Sequence, residues 1–302
     1  MSDWLLFLLP SFIWGTTWLV IKFQLGLVAP ELSVAWRFGL AALLLLGWSL
    51  LRGVRLRFDA RTHLAFAFQG LLQFGLNYVL VYLAEQHLTS GLVAVLFVLM
   101  VFWNLLGARL FFGTPASGVV IAGSVLGLLG VALVFLPELR ALRAQPDLGL
   151  GVALAVAGTL VASAANLWAQ RLYRRGIEVV PSTAWAMLYA SLQVLAWCAL
   201  TGIPFSFDPR PAYVISLAYL AVFGSVVAFV TYLTLLRRIG VGRAGYTAAV
   251  IPVLAMLTST LFEGYRWTAV ALLGMGLVLA GNLLVMRAKA ATAEIPAAGK
   301  AA

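Results

Sequence analysis

The sequence predicts an all-α integral membrane protein of ten transmembrane helices, folded as two inverted five-helix repeats around a central cavity. Three observations lead there: long apolar segments that recur along the chain, basic residues gathered between alternate segments, and a self-match of the chain at one fixed offset.

The apolar segments come first. Of 302 residues, 63% are hydrophobic and 10% charged, with a mean hydropathy of +1.03, whereas a soluble domain is about 45–50% apolar and about 25% charged. A helix needs roughly 20 apolar residues to cross a hydrocarbon core of about 30 Å. Turn residues and charge clusters divide the chain into spans at 4-24, 31-51, 64-85, 89-112, 116-137, 149-172, 181-202, 211-236, 244-262 and 267-287. The segments are continuously apolar and lack the two-residue alternation of a barrel strand, so helices are expected. The first segment, Trp4 to Gln24, has no basic leader or small-residue cleavage site and reads as a retained helix.

The charges set orientation and exclude other classes. A net charge of +10 could suit nucleic acid, but the basic residues form no stripe with interleaved aromatics. They lie between apolar segments. With the N-terminus inside, the cytoplasmic loops and tail hold fourteen of them, including Arg52, Arg55, Arg57, Arg61, Arg171, Arg174, Arg175, Arg237 and Arg238. The opposite side holds four, Arg140, Arg143, Arg210 and Arg266. Positive residues mark cytoplasmic loops, which puts both termini in the cytoplasm. Lys22 and Arg37 fall towards helix ends, where reaching to the interface is expected. The tail, 288-302, reads as disordered. The single Cys198 forms no disulfide pair, and His63 and His87 share no ligand spacing, so neither metal nor cofactor is expected.

Shifting the chain by 151 residues aligns Pro30 with Pro181, Gly91 with Gly242, Gly113 with Gly264, Gly123 with Gly274, and Gly130 with Gly281. Glycine marks tight turns and close helix approach, so four coincidences at one ungapped offset indicate duplication. The expected units are 1-140 and 148-287. Five crossings per unit place the second upside down relative to the first, an architecture suited to alternating access at a midplane site.

Polar side chains in such helices face the bundle interior. Thr159, Ser163, Asn166 and Gln170 recur at helical spacing on helix 6, with Trp168 beside them, as do Ser11, Gly15, Trp18 and Lys22 on helix 1, with Trp14 beside them. Helix 3 carries Gln69, Gln73 and Asn77, then Tyr78 and Tyr82; helix 4 adds Met100, Trp103 and Asn104; helices 8 and 9 add Thr231, Tyr232, Thr234 and Tyr246, with Pro252 expected to bend helix 9. Helices 5 and 10 are rich in Gly, Ala, Val and Leu and read as close-packed scaffold. Competing readings are plain: serine and threonine bond back to their own helix, and Trp4, Trp48, Trp185 and Trp267 suit interface anchors. No carboxylate lies mid-span, Glu31, Glu85 and Glu263 all standing near ends, so the sequence supports neither a proton-coupled cation pump nor a central anion clamp. An uncharged pocket of Trp, Tyr and amides remains. The candidate substrate-binding residues are Trp14, Trp18, Gln73, Asn77, Tyr78, Tyr82, Met100, Trp103, Ser163, Asn166, Trp168, Gln170, Tyr232 and Tyr246.

Trp14-Gly15-Thr16-Thr17 followed by Lys22, Pro30 ahead of helix 2, and the paired glycine-rich ends of each half resemble the EamA-type branch of the drug/metabolite transporter superfamily, through Met286. The chain looks most like the YddG-type amino-acid exporters. That resemblance implies a ten-helix basket exporting aromatic and other neutral amino acids and some toxic cations. The family often has a Glu after the glycine closing helix 4 or 9; here Glu263 precedes Gly264, and Phe112 precedes Gly113. The expected function is secondary transport by alternating access, with amino acids or aromatic compounds and the lipid bilayer as partners and no nucleic acid. Oligomeric state is not readable from the sequence, a monomer being the simplest case. The alternatives are a carrier of nucleotide-sugars or other metabolites and a passive channel. A membrane enzyme would need paired acids, a Ser/His pair or metal ligands in one cavity, and the sequence offers no such set.

Overall fold

A computed structural model describes residues 1–114, 117–136, 146–244, 247 and 251–287, with the side chains of Pro146 and of residues 285–287 excepted. Tyr246, Arg140, Arg143, Lys289, Lys300 and the tail from Ala288 lie outside the described residues. The chain is all-helical, with no strand among the described residues. Among the described residues seven helices are long and apolar enough to cross a membrane: α1 (Asp3–Lys22), α2 (Pro30–Leu51), α3 (Ala60–Ala84), α4 (Ser90–Phe112), α6 (Asp147–Arg174), α7 (Val179–Thr201) and α8 (Pro211–Ile239). Shorter apolar helices among them are α5 (Gly118–Val134), α9 (Ile251–Phe262) and α10 (Ala269–Arg287). The protein is a multi-pass membrane protein.

Local chemistry explains where the helices start and stop. Ser2, Asp59 and Ser117 accept backbone N–H groups at the starts of α1, α3 and α5, satisfying donors that the first turn leaves free. Pro30 and Pro211 open α2 and α8, where the missing N–H is no loss. Gly113 and Gly264 close α4 and α9 at φ +65° and +70°, a left-handed conformation that glycine adopts without steric cost. Pro252 is the second residue of α9 as described, and residues 248-250 ahead of it, on which the expected bend depends, lie outside the described residues.

Three helices are irregular at mid-length. Residues Leu71–Leu76 of α3 and Leu220–Val227 of α8 are wound as π-helix, and α4 is interrupted at Phe97 and Val98. Within a membrane, such irregular backbone persists where it is buried in protein or lines a cavity.

The helix contacts repeat in a way that carries information. A Cβ on Gly130 of α5 would lie 2.5 Å from the Gly274 carbonyl of α10, and one on Gly281 would lie 2.4 Å from the Gly123 carbonyl. A 151-residue shift converts one contact into the other. The same holds between α4 and α9, where Gly91 would meet the Met256 sulfur at 2.8 Å and Gly242, in the short helix Val241–Ala244, would meet Leu105 at 3.3 Å. Backbones pack this closely only where side chains are absent.

Candidate functional site

Aromatic and amide side chains of α1, α3, α4, α6 and α8 converge on one cavity enclosing about 690 Å³, its open mouth included. Trp14, Trp18, Phe97, Phe229, Tyr78 and Tyr232 supply rings, and Gln73, Asn77 and Asn166 supply amides. Trp14 packs edge-on against Phe229 at 5.0 Å and Tyr232 at 5.1 Å, and Trp18 packs against Phe97 at 4.9 Å. These contacts fix ring orientation on rigid helices, which lowers the entropy lost when a flat ligand stacks against them. The irregular windings of α3 and α4 coincide with the wall. Gln73 lies inside the π-wound stretch, Asn77 follows it, and Phe97 marks the break in α4.

The amides are joined on one side and free on the other. Gln73 Nε2 donates to Asn166 Oδ1 at 3.3 Å, and Asn166 Nδ2 donates to the Met100 sulfur at 3.5 Å. Trp18 Nε1, Gln73 Oε1, Asn77 Oδ1 and Tyr232 Oη have no hydrogen-bond partner among the described residues. One N–H donor, two amide acceptors and a hydroxyl therefore stand in a largely apolar wall, and buried polar groups of this kind seek partners.

The structure thus brings together Trp14, Trp18, Gln73, Asn77, Tyr78, Met100, Asn166 and Tyr232. Five other candidates stand away from the cavity wall. Tyr82 is buried behind Tyr78, and Ser163 is buried within the helix packing. Trp103 donates to Thr159 Oγ1 at 3.1 Å, and Trp168 donates to the Ala65 carbonyl at 3.0 Å. Gln170 Oε1 accepts the Val241 N–H at 2.6 Å, capping the short helix that begins there. Their helical stripe is real, but it extends along α6 beyond the cavity and there joins helices together. Sequence reasoning passed over Phe97, Phe229, Thr17 and Ile251. The break beside Phe97 and the π-wound stretch before Phe229 leave no mark in apolar periodicity.

Arg37 requires a correction. The sequence reading placed it near a helix end, reaching for the interface, but its relative exposure is 0%. Because α2 begins at Pro30, Arg37 lies seven residues in, about 10 Å along the axis. Its Nε donates to Ser225 Oγ at 2.9 Å, Nη1 to Tyr82 Oη at 3.4 Å and Nη2 to the Gly224 carbonyl at 3.3 Å. The guanidinium lies 4.5 Å from the Tyr78 ring centroid and 5.1 Å from that of Phe38. It makes no ion pair with an acid among the described residues. A buried cation therefore stands one residue behind the cavity wall.

A second polar cluster closes the end of the bundle where α1 finishes. Lys22 Nζ donates to the carbonyls of Glu85 and Leu88 and pairs with Glu263 Oε1 at 3.7 Å. The Glu263 carboxylate accepts the Ser90 N–H at 3.1 and 3.2 Å and the hydroxyls of Ser90 and Ser259. It caps α4 just as Gln170 caps Val241, and Ser90 and Val241 are themselves 151 residues apart. At the arginine-rich end, Phe112, which the 151-residue shift pairs with Glu263, lies beside the Arg174 guanidinium at 4.4 Å, while the shift pairs Lys22 with Tyr173.

A helical membrane bundle with an aromatic cavity between its halves defines a polytopic membrane protein built to hold a small molecule. The EamA-like transporter family model matches residues 2–136 and 149–287, and the chain belongs to that family. Among its relatives, the "Uncharacterized inner membrane transporter YedA" of Escherichia coli K12 is 28% identical over 92% of this chain and 88% of its own length. "Protein PagO" of Salmonella typhimurium is 24% identical over 86% and 85%. A solved crystal structure superposes with a TM-score of 0.72 at 19% identity, covering 94% of this chain and 96% of that one, and shows the likeness of fold.

Proposed function

We propose that this protein is a secondary transporter that exports neutral amino acids, aromatic ones included, from the bacterial cytoplasm across the inner membrane by alternating access, as in the YddG-type exporters. On this reading the ten helices form two inverted five-helix repeats, residues 1-140 and 148-287, with both termini in the cytoplasm. The observation that carries it is the cavity: stacked aromatic walls, three amides and a buried cation behind Tyr78. Rings bury an aromatic side chain, amides pair with an ammonium group, and the field of Arg37 favours a carboxylate. The contacts that interchange under the 151-residue shift support the repeat, because two halves related in this way can exchange roles and open one site to either side.

The test is reconstitution. Purified protein in liposomes should exchange labelled phenylalanine against internal unlabelled phenylalanine, with saturation. Linear flux without counterflow would instead indicate a channel, and no flux above empty vesicles across a panel of neutral amino acids would remove the reading.

A further inference from the structure

Glu85 follows the last residue of α3 and is wholly buried, with relative exposure of 0%. Neither of its carboxyl oxygens has a hydrogen-bond partner among the described residues. Glu263, the other acid of this cluster, accepts from the Ser90 N–H and from the Ser90 and Ser259 hydroxyls, its side chain 12% exposed. The two acids therefore differ in kind: one is ringed by donors, the other is buried without any.

The groups facing Glu85 come from each neighbouring element. Lys22 on α1 is nearest in effect, yet its ammonium is committed to the backbone carbonyls of Glu85 and Leu88 and to Glu263. Glu263 at the end of α9 opposes a second negative charge, and Arg37 on α2 acts from further away. Tyr82 stands three residues earlier on the same helix face, and His87 follows two residues later. From α6 comes Gly151, whose missing side chain leaves room for His87 and Leu88. An ionised carboxylate without donors in such surroundings is strongly disfavoured, and the economical state is the neutral acid.

We propose that Glu85 is a proton-binding site of the transport cycle, holding a proton while the Lys22 end is shut and exchanging it with the outer solution when Lys22 parts from Glu263. This inference rests on the transporter reading above and adds a coupling ion to it. The site is connected to the cavity through Tyr82, which accepts from Arg37, and Arg37 in turn lies over Tyr78 in the cavity wall. A proton leaving Glu85 places a negative charge that draws on Lys22 and Arg37, loosening the pair with Glu263 and changing the field behind Tyr78. The proton moves between water and the carboxyl oxygen, and no other bond changes.

The experiment uses the full-length protein in liposomes with labelled phenylalanine, comparing accumulation driven by a pH gradient with counterflow at symmetric pH. Each variant is normalised to its own counterflow. Wild type should accumulate phenylalanine several-fold on imposing the gradient, and Glu85→Gln should lose that dependence, its ratio falling to about one. A wild type indifferent to the gradient, or a Glu85→Gln protein that still follows it, would overturn the proposal. A second readout needs no substrate. Wild-type protein containing carbon-13 glutamate should show, at neutral pH, an infrared carboxylic C=O band that shifts with the label and in D2O. Absence of that band, or its persistence unchanged in Glu85→Gln, also contradicts the site. If wild type shows no phenylalanine counterflow, the amino-acid reading fails, and the infrared band alone decides the proton site.

Discussion

Arg37 and the rings around it set what the cavity can recognise. A guanidinium with no acid partner, held by a serine, a tyrosine and a backbone carbonyl, leaves net positive potential behind Tyr78. Replacing Arg37 with Leu should therefore erase the preference for phenylalanine over phenylalaninamide in competition assays, while Arg37→Lys retains part of it as a point charge without the planar fork. Trp14→Ala and Tyr78→Ala each remove a ring worth about 1.5–3 kcal/mol of burial, so the half-saturating phenylalanine concentration should rise about 10- to 100-fold. Trp168→Ala should act differently, lowering thermal stability in detergent and leaving the half-saturating concentration within about threefold, since each tenfold change requires about 1.4 kcal/mol at the binding site. Helical spacing made the amides legible, because a polar residue in an apolar segment stands out. It did not separate Trp14, in the wall, from Trp168, which holds the Ala65 carbonyl, since both share the same local pattern and only tertiary packing distinguishes them.

Among the elements, α5 and α10 form the tightest joint, and its glycines were legible from the sequence as scaffold. Gly130→Leu and Gly281→Leu should each destabilise the protein by at least about 1–3 kcal/mol, read as matched losses of thermal stability, because each forces a side chain against a carbonyl of the partner helix. Gly276→Ala has open space before it and should be neutral or slightly stabilising. The loop between α7 and α8 offers a pH test. Arg210 donates to the Asp208 carboxylate through its backbone N–H and guanidinium, and this holds the Asp208 acid below the usual carboxylate range. The stabilisation is present above the ordinary aspartate pKa of about 3.9 and is lost as pH falls through the lowered folded value. Melting temperatures of wild type and Asp208→Asn should thus differ at neutral pH and converge in acid. The π-wound stretches of α3 and α8 were not legible, for their sequences are as apolar as any helix and the extra residue is absorbed by tertiary packing.

For the whole molecule, the proposed duplication rests on glycine pairs that recur at one offset where leucines are interchangeable, and on packing contacts of those glycines that interchange under the same shift. The two ends nonetheless differ. One carries a lysine–glutamate pair, the other an arginine beside a phenylalanine ring, so the proposed repeats would differ in charge at their ends. The proposed orientation is read from the basic loops, whereas the burial of Arg37 and Glu85 was not legible, since hydropathy places a charge along the helix axis without saying which way it faces. The central claim is that one aromatic cavity serves both sides of the membrane in turn. The most direct test labels a single cysteine at Asn77, in a Cys198→Ser background, with a membrane-impermeant maleimide in right-side-out and in inverted vesicles. Alternating access predicts labelling from both sides, slowed in each case by phenylalanine. Labelling by membrane-permeant reagents alone, with no protection by substrate, would contradict it.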